Sequence, residues 1–266
     1  MFSDRPAKSP LSHAHAGLYP VLLEWRGVRI HSYQAMIYFG LTSCFVLLDF
    51  MSRAAGLDPF RCFAAAIVLA SVGLIGARLS FVATHWKYYR QRPASIWRQE
   101  EGGAAIVGGL VISIVASPLI LIPLNLPLGP FWDAAILGML VWSMFGRLGC
   151  LLHGCCGGKP SGGFFSLHLP NHRGEWQHRV PTQLLELLLC GCILAAAAAL
   201  WAYRPFPGAL FLICLSIYGL GRAVLLPLRE NYRRTNGSAL YQGVAAACGL
   251  AALGALAMLW HANLTG

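Results

Sequence analysis

The chain has 266 residues, of which 57% are hydrophobic and 11% charged, and its formal net charge is +10. A soluble domain carries about 25% charged residues, and a disordered chain combines low hydrophobicity with high charge density. The composition therefore excludes both classes and predicts a membrane protein.

Seven apolar runs are long enough to cross a bilayer, which takes about 20 residues in a helix. They cover residues 33–52, 62–84, 104–127, 131–152, 183–202, 207–228 and 239–260. Several are apolar on nearly every face, so we predict an all-α, polytopic membrane protein with about seven transmembrane helices. We divide the chain into an N-terminal arm (1–32), a transmembrane domain (33–260) with an extramembrane loop at 153–182, and a short C-terminal tail (261–266).

An odd number of spans puts the N-terminal arm and the loops after the second, fourth and sixth spans on one face of the membrane. Of the 20 lysine and arginine residues, fourteen lie on this face, three on the other and three within spans. These charges are spread over short loops instead of one basic domain, so we expect a lipid bilayer with anionic lipid, and no nucleic acid, as the partner. The positive-inside rule alone places this face in the cytoplasm.

Arg147 and Arg222 stand inside the fourth and sixth spans. An arginine at the bilayer centre costs roughly 2.5 to 3.5 kcal/mol, so such residues are usually functional or paired. Both lie near the ends of their spans on the same face, where the two guanidiniums can meet. We predict a clamp for a lipid phosphate, which the guanidinium fork matches with two hydrogen bonds. The alternative is that they pair with Asp133 or Glu186.

The segment 146–158, GRLGCLLHGCCGG, holds five glycines and three cysteines at the end of the fourth span. Glycines allow sharp turns and close approach of the backbone to an anion. A soft-metal site and a redox or nucleophilic role of the thiols are alternatives. The C-x4-C-C spacing lacks the C-x2-C pairs of structural zinc sites, so we expect no metal site here.

Other polar or conformationally permissive residues converge on the same face. Tyr33 opens the first span, Gly108 and Gly109 stand near the start of the third, and Pro181 precedes Gln183 and Glu186 at the start of the fifth. Packing of small residues explains the two glycines equally well. The convergence as a whole predicts one site, formed by Tyr33, Gly108, Arg147, Gln183, Glu186 and Arg222.

Together these motifs resemble the prolipoprotein diacylglyceryl transferase family. The resemblance is carried by 146–158, by the run RVPTQLLE at 179–186 and by YGLGR at 218–222, in seven spans. It implies transfer of the diacylglyceryl group of phosphatidylglycerol to the lipobox cysteine of a prolipoprotein, with release of glycerol phosphate. It also implies a bacterial inner-membrane enzyme without metal or organic cofactor.

The resemblance assigns roles to particular residues. Arg147 and Arg222 match the two essential arginines and Tyr33 matches the tyrosine that opens the first span, so we expect these three to be catalytic. We expect Arg147 to bind substrate as well. The remaining predicted substrate-binding residues are Gly108, Gly109, Gly149, Cys150, His153, Gly154, Gly158, Gln183, Glu186 and Arg229.

The chain departs from the family pattern at three positions. Val107 replaces a histidine proposed as the base, Cys150 replaces a usual asparagine, and Leu226 replaces an acidic residue. The base is then His31, His153 or no dedicated histidine at all. These changes also fit a divergent acceptor or a non-catalytic phospholipid-binding protein.

The resemblance implies an orientation that conflicts with the charge count. The lipobox cysteine is presented at the outer leaflet, so the site must face the periplasm. Basic residues are expected around a site that binds an anionic lipid, so their number on this face does not require it to be cytoplasmic. We therefore predict a periplasmic active face and a cytoplasmic C-terminus.

Overall fold

The computed structural model describes residues 18–25, 28–91, 94, 96, 106–163, 165–171, 174–230 and 238–265. Most of the predicted N-terminal arm lies outside these ranges. Within them the chain forms eight α-helices and two antiparallel strand pairs. The helices are α1 (Ser32–Ala54), α2 (Pro59–Thr84), α3 (Trp86–Tyr89), α4 (Ile106–Leu121), α5 (Leu128–His153), α6 (Thr182–Leu200), α7 (Ala209–Leu225) and α8 (Ser238–Thr265). The strands are β1 (Val21–Trp25), β2 (Val28–His31), β3 (Leu167–Pro170) and β4 (Trp176–Arg179).

Six of these helices are long and apolar enough to cross a membrane, and α4 is a shorter apolar helix. Each of the seven corresponds to one predicted span. The predicted all-α, polytopic membrane architecture is therefore confirmed. The extramembrane loop between α5 and α6 contains the β3–β4 hairpin, in which Leu167 pairs with Arg179.

Helix α4 is shorter than its predicted span because the chain turns after Leu121. Leu126 N donates to Leu121 O at 3.0 Å, and Asn125 has a left-handed φ of 54°. Pro118 inside the helix has no backbone N–H to donate to the Ile114 carbonyl. The hydroxyl of Ser117 donates to that carbonyl at 2.7 Å instead, which satisfies a backbone group that lipid cannot.

Helix α5 is the central helix of the bundle and packs against α1, α6 and α7. Its first half, Phe131 to Leu137, is buried at every position. Asp133 accepts hydrogen bonds from Gly208 N at 2.8 Å and Phe211 N at 2.9 Å. This carboxylate therefore ties the start of α5 to the start of α7, and does not take part in the predicted arginine site.

At the other end of the bundle, α5 and α7 end where α1 and α6 begin. Tyr19 N donates to Leu152 O at 3.0 Å, which docks the chain before α1 on the last turn of α5. Thr182, the first residue of α6, donates its hydroxyl to Cys156 O at 3.0 Å. We call this end, formed by 18–25, 28–33, 147–161, 178–186 and 222–230, the polar end.

Candidate active site

Glu186 is the centre of the polar end. It lies one turn into α6 and is only 3% exposed. Its Oε2 contacts Arg147 Nε at 2.6 Å and Arg222 Nη1 at 3.0 Å, while Oε1 accepts from Nε of Arg229 at 3.1 Å and also from Nη2. Three guanidiniums thus share one carboxylate. The group keeps a surplus of two positive charges, a balance that favours binding of an anion.

The three arginines come from different parts of the chain. Arg147 lies in the last two turns of α5, and Arg222 lies in the last turn of α7. Arg229 follows the 3-10 turn Leu226–Leu228, in which Pro227 ends the helical chain. The predicted pairing of Arg147 and Arg222 with an acidic residue therefore occurs with Glu186, and it coexists with the surplus charge that a phosphate clamp needs.

A short extended segment, 157–161, holds Arg229 in place. Lys159 N donates to Leu228 O at 2.9 Å and Glu230 N donates to Gly157 O at 3.1 Å. On its other side, Val180 N donates to Lys159 O at 3.1 Å. Gly158 bridges directly to Arg229, and a Cβ on Gly158 would collide with the carbonyl oxygen of Val180. Only glycine fits there without moving the backbone.

The turn between α5 and this segment is fixed by the start of α6. Gly154 caps α5 with a left-handed φ of 76°, and Cys156 also has a positive φ of 59°, which is uncommon for a residue with a side chain. Gln183 Nε2 donates to Cys155 O at 2.8 Å. Together with the bond from Thr182 to Cys156 O, this places Gln183 in the predicted site as a residue that orients the backbone.

The three cysteines of this turn lie together. Cys150, Cys155 and Cys156 carry free thiols, and their sulfur atoms all lie within 4.8 Å of one another. The thiols of Cys150 and Cys155 hydrogen-bond to Cys156 and hold the pKa of that thiol well below its usual range, with help from Arg229 and Arg147. The pKa of Cys155 is raised, because its thiol hydrogen-bonds to Cys150 and Cys156.

Tyr33 lies beside the end of α5. A Cβ on Gly149 would meet Tyr33 Cα at 3.3 Å, so the glycine lets α1 and α5 approach closely. The ring centroids of Tyr33 and His153 are 6.2 Å apart. Tyr33 is 38% exposed, which leaves part of its ring on the surface of the polar end.

Gly109 of the predicted substrate-binding set packs against helix α2, and not against the arginine cluster. A Cβ on Gly109 would meet Gly73 O at 2.5 Å and the side chain of Ala77 at 3.0 Å. Helix α4, which carries Gly108 and Gly109, packs mainly on α2. The structure therefore favours the packing explanation for Gly109.

Sequence reasoning missed Arg179, which stands directly before the Val-Pro-Thr-Gln run. It is 1% exposed, and its Nη1 lies 2.9 Å from Glu230 Oε2. Its Nη2 donates to Gln177 Oε1 at 3.2 Å. This ion pair joins the end of β4 to the residue after Arg229 and so supports the arginine cluster. The signal was its place in the 179–186 motif.

Comparisons with known proteins agree with the motifs. A family model described as "Prolipoprotein diacylglyceryl transferase" matches residues 20–260. The "Phosphatidylglycerol--prolipoprotein diacylglyceryl transferase" of Clostridium tetani is 30% identical over 219 residues, which cover 80% of this chain and 86% of the relative. The protein of that name from Dehalococcoides mccartyi is 29% identical over 184 residues, with coverages of 68% and 70%. That from Tropheryma whipplei is 29% identical over 236 residues, with coverages of 82% and 84%.

The match to the family model covers the first six apolar helices in full, α8 as far as residue 260, and every residue of the arginine cluster. The matched regions also cover most of the length of these relatives. The resemblance seen in the sequence motifs is confirmed: the chain belongs to the prolipoprotein diacylglyceryl transferase family.

Proposed function

We propose that this protein transfers the diacylglyceryl group of phosphatidylglycerol to the lipobox cysteine of prolipoproteins, the first step of bacterial lipoprotein maturation. The observation that carries the proposal is the cluster of Arg147, Arg222 and Arg229 around Glu186. Family membership supplies the reaction class. The arginine cluster supplies the chemistry that a phosphate leaving group requires.

In this reaction the cysteine sulfur attacks the glycerol carbon that carries the phosphate. A carbon–sulfur bond forms and the carbon–oxygen bond to phosphate breaks, with its electron pair going to the oxygen. The phosphodiester of the substrate has one negative charge, and the glycerol phosphate that leaves approaches two. The surplus of two positive charges on the arginine cluster therefore stabilises the departing glycerol phosphate more than it stabilises the intact lipid. Such preferential stabilisation lowers the barrier.

Gln183 supports recognition of the polar headgroup. Its Nε2 donates a hydrogen bond to Cys155 O, while its buried Oε1 accepts none from the described residues. A buried acceptor without a donor costs about 1 to 3 kcal/mol. We assign the missing donor to a hydroxyl of the phosphatidylglycerol headgroup. Gly157 lies beside this side chain, since a Cβ on it would meet Gln183 Nε2 at 3.7 Å.

Tyr33 and His153 belong to the reaction side of the proposed site. The thiol of the acceptor, with an ordinary pKa of about 8.5, must lose its proton before it attacks carbon. We assign the base to His153, whose ring centroid lies 6.2 Å from that of Tyr33. In this assignment it takes the role of the family histidine, whose position is occupied by Val107 in this chain.

The proposed orientation puts the polar end at the periplasmic side of the bacterial inner membrane. The acceptor is a prolipoprotein signal peptide, whose lipobox cysteine lies at the outer leaflet. The donor lipid enters from the same leaflet. In this orientation the basic loops attract the anionic phosphatidylglycerol of the outer leaflet. They do not then mark the cytoplasmic side of the membrane.

The test is transfer of diacylglyceryl to a lipobox peptide by the purified protein in detergent with phosphatidylglycerol, followed by mass spectrometry of the cysteine. Arg147→Ala should abolish product, because the departing phosphate loses a charge partner. Arg53→Ala is the matched control, since Arg53 pairs with Asp49 at the opposite end of α1 and is exposed.

The outcomes separate the alternatives. Product from the wild type and the control but not from Arg147→Ala supports the mechanism. Full activity of Arg147→Ala overturns the role of the arginine cluster. No product from folded wild type, beside an active relative, overturns transfer to prolipoproteins.

A further inference from the structure

The proposed transfer reaction assigns no chemical step to the thiols of Cys150, Cys155 and Cys156, which converge at the polar end. All three sulfur atoms lie within 4.8 Å of one another. Three sulfurs bound to one ion at about 2.3 Å stand roughly 4 Å apart. Small movements of the three side chains would therefore bring the sulfurs to the spacing of a three-sulfur metal site.

The backbone holds these thiols in place from outside the cluster. Cys150 lies on the last full turn of α5, and Cys155 N donates back to Cys150 O at 3.1 Å. Cys156 has a positive φ of 59°, and its sulfur lies within 4.8 Å of the Cys150 sulfur at that helix end. The carbonyls of Cys155 and Cys156 accept from Gln183 and Thr182, which fixes both peptide groups.

We propose that these three cysteines bind a soft metal ion with a filled d shell, such as Zn²⁺ or Cu⁺, beside the arginine cluster. Thiolates are the ligands that such ions prefer. Each thiol gives up its proton as its sulfur–metal bond forms, and no atom is oxidised or reduced. Three thiolates around Zn²⁺ leave one negative charge, which the surplus positive charge of the neighbouring arginines stabilises.

A disulfide is the competing use of these thiols, and the geometry favours metal over it. A disulfide joins only two sulfurs, so it does not explain why the third lies beside them. The neighbours Cys155 and Cys156 are also poorly placed to bridge each other, since a bridge requires a separation of α-carbons above about 4.4 Å, whereas successive α-carbons are 3.8 Å apart. All three sulfurs converge, as a metal ion requires.

The ion would act on the position of the arginine cluster. Cys150 is one helix turn beyond Arg147, and the carbonyls of Cys155 and Cys156 are bonded to the first turn of α6, which carries Glu186. An ion on the three sulfurs therefore ties α5 to the turn that contacts α6. This predicts a higher thermal midpoint for the loaded protein, and the proposal does not depend on the transfer reaction.

The experiment uses the full chain in detergent, reduced, freed of metal and kept without oxygen. Cd²⁺ is the probe, followed by its thiolate-to-metal absorption and by metal analysis after gel filtration. We expect one tightly bound Cd²⁺ per chain in the wild type. Cys155→Ser and Cys156→Ser should each weaken binding by roughly tenfold or more, because each removes a ligand. Cys192→Ser, a change at an exposed cysteine of α6, should bind as the wild type does.

A second measurement on the wild type needs no variant. Alkylation and peptide mapping should show Cys155 and Cys156 protected by Cd²⁺ while Cys192 still reacts. Competition by Zn²⁺ and Cu⁺ then ranks the natural ion. Equal binding by the serine variants, or protection spread over other cysteines, overturns the proposal. So does a reduced protein that binds no Cd²⁺ but forms a disulfide between two of the three cysteines in air.

Discussion

At the scale of single residues, the site depends on how one buried carboxylate organises three arginines. Removing one partner from a buried ion pair leaves an uncompensated charge and costs about 3 to 5 kcal/mol. Glu186 is such a partner for Arg147, Arg222 and Arg229 at once. It keeps the guanidiniums together against their mutual repulsion while no phosphate is bound. We therefore regard Glu186 as a positioning residue.

Glu186→Gln tests this role. We expect the free energy of unfolding to fall by about 3 to 5 kcal/mol, because three half-buried guanidiniums lose the buried carboxylate that they share. Glycerol phosphate should raise the thermal midpoint of this variant more than that of the wild type, since it replaces the lost charge. The measurement is thermal unfolding in detergent with and without the ligand. Glu24→Gln, at an exposed pair with Arg29, is the control, and an unchanged midpoint for Glu186→Gln would contradict the positioning role.

Arg222→Lys separates charge from geometry. Lysine keeps the positive charge but lacks the planar fork that bonds two oxygens at once. We expect the transfer rate to fall on the order of 100-fold, as for loss of one donor to a developing anion, with a smaller loss of stability than in Glu186→Gln. Activity assays on the peptide substrate measure it beside Arg53→Lys, a change at an exposed arginine of the opposite end. Wild-type activity would show that charge alone suffices.

At the scale of structural elements, the extended segment 157–161 connects the arginine cluster to the β3–β4 hairpin. It lies between the residues around Arg229 and the end of β4, and its backbone bonds to both. The loop between α5 and α6 is therefore part of the site, although it contributes few charged side chains. Any shift of this segment moves Arg229 directly.

Gly158→Ala should shift that segment. The added methyl group has no room beside the carbonyl of Val180, so the backbone must move and Arg229 moves with it. A displacement of about 1 Å in a catalytic group can cost on the order of 100-fold in rate, and we expect a loss of this size. Gly162→Ala is the matched control in the same loop, because a Cβ there meets nothing within 4 Å. Equal rates for the two variants would rule out a steric requirement at Gly158.

The contact between α2 and α4 is a second element-scale feature. Gly109 and Gly73 allow the two backbones to touch, as small residues do in membrane bundles. This contact explains why a glycine stands at position 109 without reference to substrate. The role of the neighbouring Gly108 in substrate binding stays a prediction.

Gly109→Ala distinguishes packing from binding. We expect a loss of about 1 to 3 kcal/mol in stability through overpacking, with KM for phosphatidylglycerol nearly unchanged. Thermal unfolding and steady-state kinetics of the same preparation measure both effects. Gly254→Ala, at an open position on α8, serves for comparison. A raised KM at an unchanged thermal midpoint would return Gly109 to the substrate-binding residues.

At the scale of the whole molecule, seven apolar helices put the two ends of the chain on opposite faces of the membrane. The polar end collects the starts of α1 and α6 and the ends of α5 and α7. It lies on the face to which the parity of the spans assigns fourteen of the 20 lysines and arginines, which opposes the usual cytoplasmic bias. The proposed function, which uses an anionic lipid and an exported acceptor, predicts the periplasm instead.

A reporter at the C-terminus tests this orientation. Alkaline phosphatase fused after residue 266 should be inactive and a green fluorescent protein at the same place should fluoresce, because the C-terminus is expected in the cytoplasm. The same pair of reporters in the loop between α5 and α6, at Gly162, should give the reverse pattern. The opposite result at both positions would place the arginine cluster in the cytoplasm and reject acceptance of exported prolipoproteins.

Properties that depend on local composition follow from the sequence alone. A helix that crosses lipid must be long and apolar, so the number and approximate bounds of the spans are visible in the residues themselves. Parity then places Arg147, Arg222 and Glu186 at one face. The ordered motifs around these residues indicate the family, because each is read along a continuous stretch of chain.

Which residues touch was decided only by the tertiary structure. Helices that are apolar on nearly every side carry no signal for their rotation, so the contact of Gly109 with α2 could not be read from the sequence. Arg222 and Arg229 reach Glu186 across 36 and 43 residues, by way of a turn and a bridge that only the packed chain forms. The convergence of the three thiols likewise depends on the positive φ of Cys156 and the hydrogen bonds from Thr182 and Gln183, since backbone conformation in a loop is set by its distant partners.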